Sequence, residues 1–149
     1  MTLRDARPDE AAALTQLALR SKRAWGYDEA FMNRIMPDMI VHSEYLTSEH
    51  GIVVEDGGAV CGYAIVRVDA ESAYLRDLFV EPQHFRRGFG EALFHAAVAF
   101  AKKRGVSRLT LVGDPNAVGF YERMGMVRIG EEPSIGGWGR MLPIMSLSW

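Results

Sequence analysis

Apolar positions in the first third of the chain recur at helical spacing, and those in the middle run almost continuously. Residues 3–7 read as a short first strand, ended by Pro8. Asp9 and Glu10 follow, and acidic residues favour a helix start because they face the positive end of its dipole. Leu14, Leu17 and Ala18 then fall on one helical face, so this segment should bury a stripe and fade near Gly26. Asp28 can cap a second helix through about Met36, which Pro37 disturbs because it lacks a backbone donor. Residues 40–50 show no clear period.

The pattern then becomes strand-like. Ile52-Val53-Val54-Glu55 reads as a strand, and Asp56-Gly57-Gly58 as a hairpin turn in which glycine supplies the positive φ. Residues 59–68 form the partner strand. Both of its faces are largely apolar, which predicts a sheet covered on both sides. Residues 73–80 form the next strand, ended by Pro82. Leu93, Ala96, Ala97 and Phe100 place a helix over residues 90–104. Its last turn carries Lys102, Lys103 and Arg104, and Gly105 follows, as a helix C-terminus prefers. A strand over residues 108–112 leads to Asp114-Pro115, an N-cap with proline at the first helical position. That helix runs to about Met124 and stops at Gly125. A strand over residues 126–129, a loop Gly136-Gly137-Trp138-Gly139 and a last strand over residues 141–148 complete the chain. The order predicts one α/β (α+β) domain over residues 1–149, with helices on both faces of a mixed sheet.

Composition narrows the class of protein. With 149 residues, 48% hydrophobic and 24% charged, the chain suits a single compact domain rather than a disordered one. A formal net charge of −2 gives no basic excess that would call for nucleic acid or an anionic membrane as partner. Cys61 is the one cysteine, so no intrachain disulfide can form, and its apolar surroundings read as those of a buried, inert thiol. No window approaches the roughly 18 apolar residues of a membrane span, and no signal-peptide core opens the chain, so a cytoplasmic protein is expected. His42, His50, His84 and His95 lack metal-ligand spacing with one another or with Cys61, so no metal is expected.

The chemistry-bearing segment is Phe85-Arg86-Arg87-Gly88-Phe89-Gly90, where a buried strand gives way to a helix through spaced glycines. The first amides of that helix have no intrahelical partner and carry the positive end of its dipole, so they suit a phosphate. Gly88 and Gly90 keep side chains away, and Arg86 and Arg87 add charge beside the anion. A tight strand-to-helix turn with two solvent-facing arginines would read the same way. No P-loop signature is present, and Leu93 stands where a dinucleotide fingerprint needs a small residue.

Together with a second segment, these residues resemble the GNAT superfamily of N-acetyltransferases. Val80, Pro82, Gly88 and Gly90 match its pyrophosphate loop, and Ala117, Phe120, Tyr121, Gly125 and Met126 match its second signature. Element order agrees over almost the whole chain. Phe85 departs from the usual Gln or Arg, Arg86 stands where many members have glycine, and Asp114 replaces an asparagine, with Asn116 close by. The resemblance implies a mixed, mostly antiparallel sheet of about seven strands flanked by about four helices. It implies acetyl-coenzyme A as co-substrate, with Leu78, Phe79, Val80, Arg86, Arg87, Gly88, Phe89, Gly90, Asn116 and Phe120 on the coenzyme. A dimer through the last strands is common in the family, and the apolar tail from Met141 to Trp149 is compatible with a homodimer.

The same resemblance gives catalytic expectations. Tyr121 matches the tyrosine near the thioester sulfur, and a phenol with a pKa of about 10 can protonate a thiolate. The alternative is a packed aromatic beside Phe120. Asp77 could take the amine proton through water or hold the ammonium, or it could pair with Arg67 or Arg76 within the sheet. Trp25, Tyr27 and Arg140 stand where the family grips its acceptor. Trp25 and Tyr27 could wall a cation and Arg140 could hold a carboxylate, unless the first two are core residues and the third a surface charge. The expected reaction is acetyl transfer to a primary amine of a small molecule. A peptide or protein amine is the second reading, and a non-catalytic acyl-coenzyme A-binding module the third.

Overall fold

The computed structural model describes residues 1–134 and 139–149. The expected loop residues Gly136, Gly137 and Trp138 lie outside the described residues. Seven strands form one sheet in the order β1-β2-β3-β4-β5-β7-β6. They are β1 (Thr2–Asp5), β2 (His50–Asp56), β3 (Ala59–Val68), β4 (Ala73–Val80), β5 (Arg108–Val112), β6 (Val127–Pro133) and β7 (Met141–Ser148). Every pairing is antiparallel except β4 with β5. The helices are α1 (Ala11–Arg23), α2 (Glu29–Met39), α3 (Tyr45–Ser48), α4 (Phe89–Lys103) and α5 (Val118–Arg123). The expected mixed sheet is therefore present, with one short helix more than expected.

The sheet separates two packed layers. Ile52 and Val54 of β2 face α4 and α5, where they pack with Leu93, Phe94 and Ala97. Val53 between them faces α1, with Leu14, Leu17 and Ala18. Strand side chains alternate sides, so consecutive apolar residues serve both layers. Two register shifts modify this alternation. The first, between Val54 and Glu55, leaves Cys61 as an extra residue on β3. The second lies between Ile65 and Val66. Ile65 opposes Asp77 and Val66 opposes Leu75, so Arg76 is the extra residue on β4. A bulge of this kind re-aims every side chain beyond it.

Two sequence expectations need correction, and one unassigned stretch gains a helix. The second helix runs through Pro37 to Met39. Asp28 caps it as expected, accepting from the Phe31 amide at 2.8 Å. Phe31, Met32 and Ile35 pack with Leu19, and this burial outweighs one missing donor in the last turn. Residues 45–48 form α3, which anchors Leu46 in the core. Strand β6 continues to Pro133, because β7 pairs with it as far as Met141. Its outer residues Glu131 and Glu132 are exposed, which hid the strand from a search for apolar runs. No helix of the described residues is long and apolar enough to cross a membrane.

Backbone approach sets a strict limit at Gly62 of β3. A Cβ there would lie 2.8 Å from the Phe79 carbonyl oxygen and 3.1 Å from a Leu93 methyl. Gly62→Ala should therefore destabilise the fold by about 1–3 kcal/mol, read as a lower denaturant midpoint with an unchanged slope.

Candidate active site

Strands β4 and β5 part soon after they meet. Only Ala73 with Leu109 and Tyr74 with Thr110 are paired, although β4 continues to Val80 and β5 to Val112. Along the diverging stretch β4 bonds β3 on one edge and borders a cleft on the other. The cleft measures about 1090 Å³ and runs between Tyr74–Val80 on one wall and residues 111–114 on the other. Its two ends differ in chemistry.

The first end is the start of α4. Gly88 takes φ 86° as the residue before this 15-residue helix, and no side chain caps the free amides. Gly90 brings the backbone close to α5, since a Cβ there would meet the Phe120 ring at 3.4 Å. Arg86 has φ 63°, the left-handed region where glycine is at ease, and its side chain lines the cleft. The expected pair of loop arginines is thereby split. Arg87 turns away, donating to His84 Nδ1 at 2.9 Å and lying 3.6 Å from Asp56. Arg123, one or two turns along α5, lines the cleft instead. Its spacing from Gly119 and Phe120 on one helical face was the available signal. Phe85 stacks on Trp25 with centroids 6.4 Å apart, so packing occupies the position where a polar residue is usual. Phe89 is buried in the core and also borders the cleft, while Leu78 packs toward α4 and Phe79 toward α1.

Midway along the cleft stand Asp77 and Tyr121. The Arg76 bulge places Asp77 opposite Ile65, on the α1 side, where Tyr63 donates to it at 2.9 Å. Burial pushes the Asp77 carboxyl up to about 6, and the Tyr63 hydrogen bond opposes that rise. The expected salt bridges do not form. Arg76 makes a two-pronged bond to Glu49 at 2.8 and 2.9 Å, and Arg67 bonds Asp69 at 3.2 Å. Tyr121 is buried, packs with Phe94 and Phe120, and lines the cleft. Burial holds its phenol well above the ordinary value, and the charges of Asp77 and Asp114 add to this.

The far end is bordered by α1, α2 and the start of β7. Trp25 reaches back from α1 toward Phe85 at the first end, is 45% exposed and lines the cleft. Tyr27 does not line it. Its ring stacks on Phe31 at 4.2 Å, and its hydroxyl donates to Asp114 at 2.8 Å. Arg140 lines the cleft but is no surface charge, for it donates to the Tyr27 hydroxyl at 2.5 Å and lies over Phe31 at 4.8 Å. Lys22, unremarked in the sequence, donates to Asp114 at 2.5 Å. Burial pushes the Lys22 ammonium down, and Asp114 partly opposes this. Burial alone would raise Asp114, but Lys22 and its other donors hold it below the usual carboxylate range. Asp38, Tyr45, Tyr74 and Glu132 complete this end. Outside the cleft, His95 lies beside Glu91 on α4, and Cys61 is buried. Among the described residues no three His, Cys, Asp or Glu side chains gather as a metal site.

Comparison with known proteins shows the family of the chain. Residues 12–126 match the acetyltransferase (GNAT) family, and the chain belongs to that family. An uncharacterized N-acetyltransferase of Methanocaldococcus jannaschii is 37% identical over 75 residues, which is 48% of this chain and 32% of that protein. The match therefore spans about a third of that relative. The fold is similar to a GCN5-related N-acetyltransferase from Rhodopseudomonas palustris, with a TM-score of 0.83 and 22% identity over 99% of this chain and 95% of that one. It is also similar to the PaiA N-acetyltransferase of Thermoplasma acidophilum, solved with coenzyme A, with a TM-score of 0.80 and 19% identity over 99% and 98% of the chains.

The Asp77 environment has a measurable consequence. Its folded pKa of about 6 exceeds the ordinary 3.8, so the folded chain holds this proton more tightly than the unfolded chain does. Its contribution to stability should fall as pH rises from 3.8 through about 6. Asp77→Asn should flatten the stability profile in that window. Tyr63→Phe should move the Asp77 titration, followed by carboxyl-carbon NMR, to still higher pH.

Proposed function

We propose that this member of the acetyltransferase family moves the acetyl group of acetyl-coenzyme A to a primary amine of a small molecule, by direct attack in a ternary complex. The observation that carries the reading is the parted pair β4 and β5. It forms one cleft whose α4 end suits a pyrophosphate and whose middle holds a carboxylate and a phenol. The free amides of α4, with Arg86 and Arg123, would hold the phosphates. The open edge of β4 at Leu78, Phe79 and Val80 would bond the pantetheine amides, and Asn116 and Phe120 would flank that arm from the other wall.

The chemistry follows from the two groups in the middle. The amine nitrogen attacks the thioester carbonyl carbon, a C–N bond forms and the C–S bond breaks. Asp77, ionised above about pH 6, takes the amine proton through water. Tyr121 gives its proton to the departing thiolate and recovers it from solvent. Its raised pKa keeps it protonated until that moment. Trp25, Tyr45 and Tyr74 would wall the acceptor, and this aromatic lining favours a small molecule over a chain segment.

Acetyl-coenzyme A at about 100 times its dissociation constant should add roughly 2.7 kcal/mol of stability, seen as a higher melting temperature. No shift at millimolar coenzyme would sink the reading. A panel of amines, amino acids and peptides, scored by release of free thiol, then identifies the acceptor class. Tyr121→Phe should lower kcat by roughly 10²–10⁴ with coenzyme binding nearly unchanged. Asp77→Asn should remove the acidic limb of the kcat/KM profile, which the native chain should show near pH 6. Arg86→Ala and Arg123→Ala should each weaken coenzyme binding in a salt-sensitive way, whereas Arg87→Ala should matter less.

A further inference from the structure

Asp114 stands at the corner between β5 and α5 and is bonded from several directions. Its Oδ1 accepts from the Asn116 backbone amide at 2.8 Å, which caps the turn leading into α5. Its Oδ2 accepts from Lys22 on α1 at 2.5 Å and from the Tyr27 hydroxyl at 2.8 Å. That hydroxyl in turn accepts from Arg140 at 2.5 Å and from the Asn116 side-chain amide at 3.0 Å. One donor and two lone pairs are thus all in use. The Arg140 guanidinium also lies 4.0 Å from Asp114 itself. Asp114 and Lys22 side chains are only 10% and 11% exposed, so solvent screens these bonds weakly.

A helix cap needs one acceptor oxygen, and asparagine supplies it as well as aspartate does. The charge and the second oxygen of Asp114 therefore serve another task. What they hold is Lys22 of α1 and Tyr27 of the loop after it, with Arg140 before β7 alongside. We propose that Asp114 is a positioning residue that ties the acceptor walls, through Lys22, Tyr27 and Arg140, to the turn that starts α5, so that these walls and the turn bearing Asn116 become ordered together. A ligand that settles Asn116 and Phe120 thereby settles Tyr27 and Arg140, and an acceptor acts in the converse direction by linkage. The bonds stand by themselves; only the identity of the ligands rests on the function proposed above.

The test is hydrogen exchange by mass spectrometry on the full chain, with and without coenzyme A, for the native protein and for Asp114→Asn. The variant keeps a cap oxygen and loses the charge. Without ligand, its residues 24–28 and 139–142 should exchange about tenfold faster or more, while residues 114–121 change little. Lys22→Met should loosen the same two segments. Coenzyme A should slow exchange at residues 114–121 in both proteins, but at residues 139–142 in the native protein alone. With the amine that releases thiol fastest, Asp114→Asn should raise KM for the amine about tenfold and leave KM for acetyl-coenzyme A nearly unchanged. A variant whose acceptor segments exchange as the native ones do, or are protected equally by coenzyme A, overturns the proposal. So does one that merely melts earlier with both KM values intact. Coenzyme A that protects nothing in the native protein would instead sink the proposed function, and the ligand-free comparison would still decide the role of Asp114.

Discussion

A β-strand edge carries backbone donors and acceptors that need partners, and the parting of β4 from β5 leaves such an edge within the protein. Two paired residues hold the strands together at one end. Beyond them the sheet opens, and its continuity passes to β7, which pairs with β5 along its whole length. The cleft, the open edge of β4 and the approach of α4 to α5 all follow from that divergence. Gly90 lies where a Cβ would just touch the Phe120 ring, at 3.4 Å, so only small residues fit this approach.

A single inserted residue sets the chemistry at the middle of the cleft. Without the Arg76 bulge, Asp77 would continue the alternation of Ala73 and Leu75 and face the α4 layer. With it, Asp77 turns to the α1 side and meets Tyr63, while Leu78 takes the apolar face. Arg76, displaced outward, is held by Glu49 and by the ring of Tyr45 at 4.1 Å, so it does not neutralise Asp77. Burial thus lifts this carboxyl to about 6, against the smaller opposing effects of the Tyr63 hydrogen bond and the Arg76 charge. The far end solves the opposite problem. A buried lysine and a half-buried arginine meet there, and one carboxylate with a phenol between them makes the arrangement tolerable.

Local signals made much of the architecture legible. The strands at residues 73–80, 108–112 and 141–148 have the expected bounds, because apolar runs, proline and glycine mark them. The spaced glycines and the Phe120-Tyr121 signature located the cleft. Other features were silent. Arg86 and Arg87 are adjacent and identical in type, yet one faces the cleft and the other the β2–β3 turn. Tyr27 and Arg140 looked like separate substrate contacts and proved to be bonded to each other. Asp114 read as a cap, which it is, but its larger set of partners lies about ninety residues away along the chain.

The sequence by itself determined most of the helix and strand segments, which faces are apolar, and where a helix start could receive an anion. Those properties depend on spacing within a few residues and on backbone conformations that glycine and proline dictate. Tertiary structure alone decided where β4 and β5 part, that Arg76 would be the residue left over, and which charges would neutralise one another. Register, burial and ion pairing depend on the chain neighbours that folding brings together, and short-range periodicity carries no record of them.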